Sequence, residues 1–593
     1  MRDVDKINNA LKEFSLGNKN EAYKKLKKIF NKNRNNHQLR YNLAVIEQSL
    51  GLYEAAKQNY NFLIKNNNNY KAIINLYILY IKESNYIYAL NLINKLINDN
   101  YSNESIIKDK AFVLYKLKKY NDSIQICEKS LKKNNNLDFY NILGLNYLSK
   151  KDFDKSEEIF KKALEFEKNN ASILNSLGRL YHEKRDSKNA EMFLVRAFKI
   201  NNNSYEIINN LAGFYREEGK YSKSIELYNK ALSFDPNNAT IINNLAKAYF
   251  DIGELKIAEK YCLEALKINS NDGNIQKILS LIYLRQQNYK VGWHYFDGRL
   301  NLSDFVEKNS SINLIRKKLF FGNKLKKDSK ILVLREQGVG DEILYGTMYR
   351  DLFDKCENVT IECDKRLKNL FCNSFPEYKN SFVNLGEISN DKNLLSNYEI
   401  VLYAGSLGKY FRTKSAHFEN NNYLYPDENS LNKAKEKLKS LNGINIGISW
   451  KSFKNRYSNE KSLTLKDFSK IFDSKNCNFI NLQYGDVKNE ISDFNKKFKK
   501  NLITFNDLDI TNDFDYLASL LSNLDLFISV SNSTAHLAGS LGVKTLLIKP
   551  ENHAIFHYWN QPNNRTPWYK TIKIIDKKSI MKDSALIKMY LST

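Results

Sequence analysis

At 593 residues the chain is too long for one hydrophobic core, so several domains are expected. Hydrophobic residues at 42% and aromatics at 13% exclude wholesale disorder, and only six prolines favour long helices over turn-rich sheet. A formal net charge of +26 fits an anionic partner or plain Lys-rich background; with no nucleic-acid motif and no basic stripe carrying interleaved aromatics, nucleic acid is not expected.

The first residues, Met1-Arg2-Asp3-Val4-Asp5-Lys6, are charged and lead into an amphipathic helix, unlike a secretory signal. No apolar run reaches bilayer length, so a cytoplasmic location is expected, with peripheral membrane contact left open. Cys127, Cys262, Cys356, Cys363, Cys372 and Cys477 form no CxxC pair and no zinc spacing, and they read as reduced thiols.

A repeat fills residues 1–300. Leu211-Ala212, Tyr215, Gly219, Tyr221, Tyr228 and Ala231 return 34 residues later as Leu245-Ala246, Tyr249, Gly253, Leu255, Cys262 and Ala265. The frame extends back through Leu177-Gly178 and Leu143-Gly144, with weaker copies at Leu43-Ala44, Tyr77 and Ala111. Small residues at Gly144, Gly178, Ala212 and Ala246 let the two helices of a repeat approach, while Ala163, Ala197, Ala231 and Ala265 do so between repeats. This is the tetratricopeptide pattern, with eight or nine repeats expected to stack into a superhelix with a concave groove. Asn141, Asn175, Asn209 and Asn243 recur at one position of four successive repeats. An amide ladder there would suit the backbone of an extended peptide and resembles that of O-GlcNAc transferase. Drift within a duplicated unit in an Asn-rich chain is the alternative.

Residues 301–327 read as a connecting segment. Beyond it, apolar runs alternate with helical patterns: 330–335, 359–361, 400–402, 444–448, 479–482, 526–530, 545–548 and 572–575. Such alternation predicts parallel α/β sheets in two Rossmann-like lobes, 328–435 and 436–593, with a ligand cleft at the carboxyl ends of their strands.

Four loops at those ends carry candidate chemistry. In Glu336-Gln337-Gly338-Val339-Gly340-Asp341, the glycines Gly338 and Gly340 would let backbone approach a ligand, and Asp341 is either a cleft carboxylate or a helix cap. Ile448 to Ser452, followed by polar residues up to Lys461, offers Lys451 to neutralise a diphosphate. Asn481 to Asp486 offers Gln483 and Tyr484 to a base or sugar. Ser531, Asn532, Ser533 and Thr534 open a helix, where hydroxyls and free amides make a phosphate site. His536 either meets the ligand or packs on the sheet.

Together these motifs, with Thr566-Pro567-Trp568-Tyr569, Tyr289 to Trp293 and Arg299, resemble the heptosyltransferase-like glycosyltransferases of the GT-B fold, in the branch preceded by tetratricopeptide repeats. That resemblance implies an inverting, metal-independent sugar transfer from a nucleotide-sugar, with no cofactor. It assigns Asp341 as general base, Lys451 and Lys461 to the leaving diphosphate, and Ser531 to Thr534 to its other side. The repeats would hold a protein or peptide acceptor. Heptosyltransferases usually carry Asp-Thr-Gly where this chain has Ser531-Asn532-Ser533, so the sugar and acceptor stay open. Asp507-Leu508-Asp509 and Asp513-Phe514-Asp515 mimic a DxD metal motif but are read as loop and capping carboxylates. Two alternatives remain: a non-catalytic protein-interaction scaffold with a nucleotide-binding module, and a glycolipid acceptor on an anionic leaflet.

Overall fold

The computed structural model describes residues 3–302, 315, 318–320, 322, 324–418, 422–453, 461–505, 509–550, 557–559, 564–582, 587 and 590. It divides into two compact units, Met1–Phe214 and Tyr215–Thr593.

The first unit is built of helix pairs, from Asp3–Ser15 and Lys19–Lys32 through Ala171–Glu183 and Ser187–Ile200. The close-approach role of the small residues holds: a Cβ on Gly144 would lie 2.4 Å from the Phe160 ring, and one on Gly178 2.5 Å from Leu194. Much of the asparagine has a local purpose. Asn36, Asn69, Asn103, Asn136 and Asn170 each cap the first helix of a repeat, their side chains accepting a first-turn backbone N–H. The turn inside each repeat needs one left-handed residue. Gly51 fills it in one repeat, but Ser84, Lys118, Lys151 and Arg185 hold positive φ in the next four.

The second unit joins the last repeats to two parallel sheets. The first sheet has the order β3-β2-β1-β4, with β1 Lys330–Leu334, β2 Asn358–Cys363, β3 Phe382–Asn384 and β4 Ile400–Tyr403. The second has the order β10-β9-β8-β5-β6-β7. Its strands are β5 Ile444–Ser449, β6 Cys477–Asn481, β7 Leu502–Ile503, β8 Leu526–Val530, β9 Thr545–Ile548 and β10 Ile572–Ile575. Every strand pairing in both sheets is parallel. Side chains alternate faces: Ile331 and Val333 enter a large core that also holds Phe527 and Leu547, whereas Leu332 and Leu334 enter a smaller one with Val401 and Tyr403. A third core, with Ile446, Ile448, Ile528 and Ile548, covers the other face of the second sheet.

Two expected boundaries move. The division near residue 300 is not where the units separate, because Tyr289, Trp293 and Phe296 belong to the same core as Ile331 and Leu402. Trp293 donates Nε1–H to the Arg412 carbonyl at 3.0 Å, and a Cβ on Gly408 would meet its ring at 2.4 Å. The 435/436 boundary falls inside the helix Glu428–Lys439, which packs on the helix Phe514–Ser522 of the second lobe. The connecting segment lies largely outside the described residues. Of its described part, Leu319 bridges to Val401 in parallel, and Lys318 Nζ donates to the carbonyls of Leu395, Ser396 and Tyr398.

Candidate functional site

Strand β1 delivers the first loop. Its end is anchored from behind: Arg299, 3% exposed, donates through Nε and a terminal nitrogen to the two Glu336 oxygens at 2.8 and 2.7 Å. Gly405 N–H donates to the same carboxylate. Glu336 therefore faces the last repeat, and the cleft-facing residues begin at Gln337, which takes φ +61° to turn the chain. Gly338 then caps the helix Val339–Gly346, and the Asp341 carboxylate accepts the Gly338 N–H at 3.1 Å. Both readings of Asp341 meet here, because this capping carboxylate also lines the cavity described below.

Gly338 and Gly340 both line the cavity. Gly338 has an extended backbone, φ −101° and ψ 171°, that any residue adopts. Gly340 sits close against the opposing helix: a Cβ there would lie 3.2 Å from the Ser533 Cα and 3.1 Å from the His536 ring. The helices Val339–Gly346 and Ser533–Leu541 thus meet at their amino-terminal turns, one from each lobe.

On the second lobe, β8 runs into Ser531 and Asn532. Asn532 caps the helix by accepting Ala535 N–H at 3.0 Å and donates Nδ2–H to Ser449 at 2.7 Å. Ser531 Oγ accepts from Trp559 Nε1 at 3.0 Å. Ser533 lines the cavity, but Thr534 is buried and outside it. His536 lines the cavity and pairs Nδ1 with the Tyr569 hydroxyl at 3.1 Å. Burial, aided by the charge of Lys461, pushes its pKa down to about 3, so it faces the cavity as neutral imidazole.

Gln483 and Lys451 lie outside the lining of the cavity. The Gln483 amide staples the end of β5. Its oxygen accepts Ser449 Oγ–H, Trp450 N–H and Lys451 N–H at 3.1, 2.7 and 2.6 Å, and its nitrogen donates to the Lys451 and Tyr484 carbonyls. Lys451 turns out of the cavity to pair with Glu490 at 2.5 Å. Lys461, largely buried, does line it.

The cavity measures about 310 Å³ and lies at the carboxyl ends of both sheets. Gln337 to Asp341 and Arg366 come from the first lobe. Ser452, Lys461, Tyr484, Thr511, Phe514, Ser531 to Ser533, His536 and Tyr558 come from the second. Tyr558 is held protonated, chiefly by burial and further by the Asp341 charge. Arg366 escaped sequence reasoning. Its only signal was position, three residues beyond the end of β2. Of the DxD mimics, Asp507 and Leu508 lie outside the described residues. Asp509 accepts N–H bonds of its own loop and Asp513 caps the helix Phe514–Ser522.

The asparagine ladder is woven into the repeats. Asn141 Oδ1 accepts from Ser176 Oγ at 2.7 Å, and Asn175 Oδ1 from Asn210 Nδ2 at 3.0 Å, each partner 35 residues on. Asn175 and Asn243 are buried, Asn141 and Asn209 partly so, and Asn243 belongs to the second unit. A 34-residue period sets such positions side by side, so part of the amide capacity joins neighbouring repeats.

Comparison with known proteins identifies the repeats. Tetratricopeptide-repeat families match residues 137–170, 171–204, 214–253 and 238–269. Protein FlbA of Caulobacter vibrioides is 24% identical over 260 residues, which is 41% of this chain and 42% of that protein's length. Among solved structures, Pseudomonas aeruginosa PilF is similar at 18% identity and TM-score 0.28, covering 37% of this chain and 84% of its own. A tetratricopeptide protein of Thermus thermophilus aligns at 19% identity and TM-score 0.29, over 31% of this chain and all of its own. The chain therefore carries tetratricopeptide repeats over residues 137–204 and 214–269. Among the described residues, no helix is long and apolar enough to cross a membrane.

Proposed function

We propose that the chain is a cytoplasmic, inverting, metal-independent GT-B-like glycosyltransferase that moves a sugar from a nucleotide-sugar to a protein acceptor held by its repeats. The observation that carries this reading is the meeting of Asp341, Lys461 and the start of the helix Ser533–Leu541 in one cavity at the ends of two parallel sheets. In the proposed step Asp341 takes the proton of an acceptor hydroxyl as its oxygen attacks the anomeric carbon. The bond from that carbon to the phosphate oxygen breaks on the opposite face, and its electron pair leaves with the nucleoside diphosphate. Lys461 and the first-turn amides of the helix Ser533–Leu541 offset the charge that develops there.

The test is release of nucleoside diphosphate from UDP-, GDP-, ADP- and CDP-sugars by the full chain, with Asp341→Asn as control. Asparagine keeps an oxygen for the Gly338 N–H, so the loop is preserved while the base is removed. The expected loss is about 10²–10⁴-fold. Absence of release from every donor by the wild type would leave the repeat scaffold as the function.

A further inference from the structure

Arg366 is the one cavity residue whose charge the transfer step leaves without a role. Three features hold its guanidinium in place. Its Nε and one terminal nitrogen donate to the two Asp364 oxygens, both at 2.9 Å, and the other terminal nitrogen donates to the Thr511 carbonyl at 3.1 Å. The group also lies over the Phe514 ring, 5.5 Å from its centroid. Arg366 thus leaves the first lobe, crosses to two residues of the second, and borders the cavity beside them. Among the described residues these bonds occupy three of its five N–H groups, leaving one on each terminal nitrogen.

Asp364 does not cancel this charge alone, because it is shared. Arg335 lies 3.2 Å from Asp364 and 2.6 Å from Glu342, a carboxylate buried beneath the cavity loop. Burial raises the Glu342 pKa to about 7, against the opposing pull of Arg335. Arg335 and Arg366 thus share the one Asp364 carboxylate, while burial disfavours the charged form of Glu342.

We propose that Arg366 is an anion-binding residue of this cavity, supplied by the first lobe, that contacts a phosphate or carboxylate oxygen of the ligand while Lys461 contacts another from the second lobe. The inference rests on the nucleotide-sugar reading and names a further contact within it. Two sources offer that oxygen: the donor diphosphate, or a carboxylate on the transferred sugar.

Calorimetric titration of the full chain, as wild type, Arg366→Gln and Arg366→Lys, separates them. The probes are UDP, ADP, GDP and CDP with the matching nucleosides, followed by UDP-glucose against UDP-glucuronic acid. If the diphosphate is the source, Arg366→Gln weakens the preferred diphosphate at least tenfold, leaves its nucleoside unchanged, and is partly rescued by Arg366→Lys. If a sugar carboxylate is the source, diphosphate binding holds and only a preference for UDP-glucuronic acid over UDP-glucose disappears. Equal binding of every probe by wild type and Arg366→Gln overturns this inference alone, and so does a loss that extends to the nucleoside, which marks a structural role. A wild type that binds no probe overturns the nucleotide-sugar reading and this inference with it.

Discussion

The two walls of the cavity solve the same problem with different chemistry. The first lobe uses buried charge: Arg299 on Glu336, Arg335 between Glu342 and Asp364, and Arg366 on Asp364. Glu362 follows the same habit, with the N–H groups of Gly386, Ile388 and Ser389 and the Ser389 hydroxyl on its carboxylate. Apart from the buried Lys461, the second lobe uses neutral groups, with Ser449, Gln483, Ser531 and Asn532 tied by amide and hydroxyl bonds. A charged wall holds its loops rigidly but depends on every counter-charge; a neutral wall yields locally when one bond is lost.

The sharpest way to break this contrast is Glu336→Gln. It leaves the Arg299 charge buried without its main partner, and the expected loss is about 3–5 kcal/mol, read by denaturant unfolding. A loss under about 1 kcal/mol would mean that Asp297, 3.1 Å from Arg299, suffices as counter-ion. On the neutral wall, Gln483→Ala strips the acceptor from three donors of the β5 end, and about 2–3 kcal/mol is expected. Equal losses at the two sites would erase the distinction.

Protons sharpen it further. Burial lowers His557, like His536, to about 3, so the unfolded chain takes up protons first as the pH falls. Each histidine's stabilising contribution is complete above about 6.5 and is lost as the pH falls from there toward 3, by up to ~1.4 kcal/mol per pH unit. Glu342 has the opposite sign. With its folded pKa raised from 4.5 to about 7, its contribution is complete below 4.5 and is lost as pH rises through 7. Unfolding of His557→Asn across pH 4 to 7 should show a stability gap to wild type that narrows toward acid. A gap independent of pH would place the His557 pKa near its ordinary value.

The smallest effect belongs to the first unit, where neither kind of wall exists. Lys151 holds φ +63° without being glycine, so Lys151→Gly is expected to stabilise by about 0.5–1 kcal/mol in thermal unfolding. Unchanged or lower stability would show that the flexibility glycine adds to the unfolded chain outweighs the relieved strain.

Legibility followed the strength of the local signal. All eight apolar runs are strands, because buried parallel strands must be apolar on both faces. The two missed strands, Phe382–Asn384 and Leu502–Ile503, lie at sheet edges and are too short to carry a pattern. Loop positions were legible, but the direction of each side chain was not. Lys451 and Lys461 look alike in sequence, and only the pairing of Lys451 with Glu490 separates them. The place of the Gln483 amide was not legible, because a staple and a ligand contact ask for the same group. Arg366 and Glu342 matter through partners at 364 and 335, which no motif links.

The way Trp293 is seated has a consequence for shuffling and for design. Its indole is wedged against Gly408 and fastened to Arg412, so the closing helix of the array doubles as a piece of the sheet domain. A graft that replaced the repeats at residue 300 would tear out a wall of the host core, whereas a splice upstream of Gly273–Arg285 carries that wall along intact. Modular as the sequence looks, its natural cut point lies at least one repeat earlier than its pattern ends.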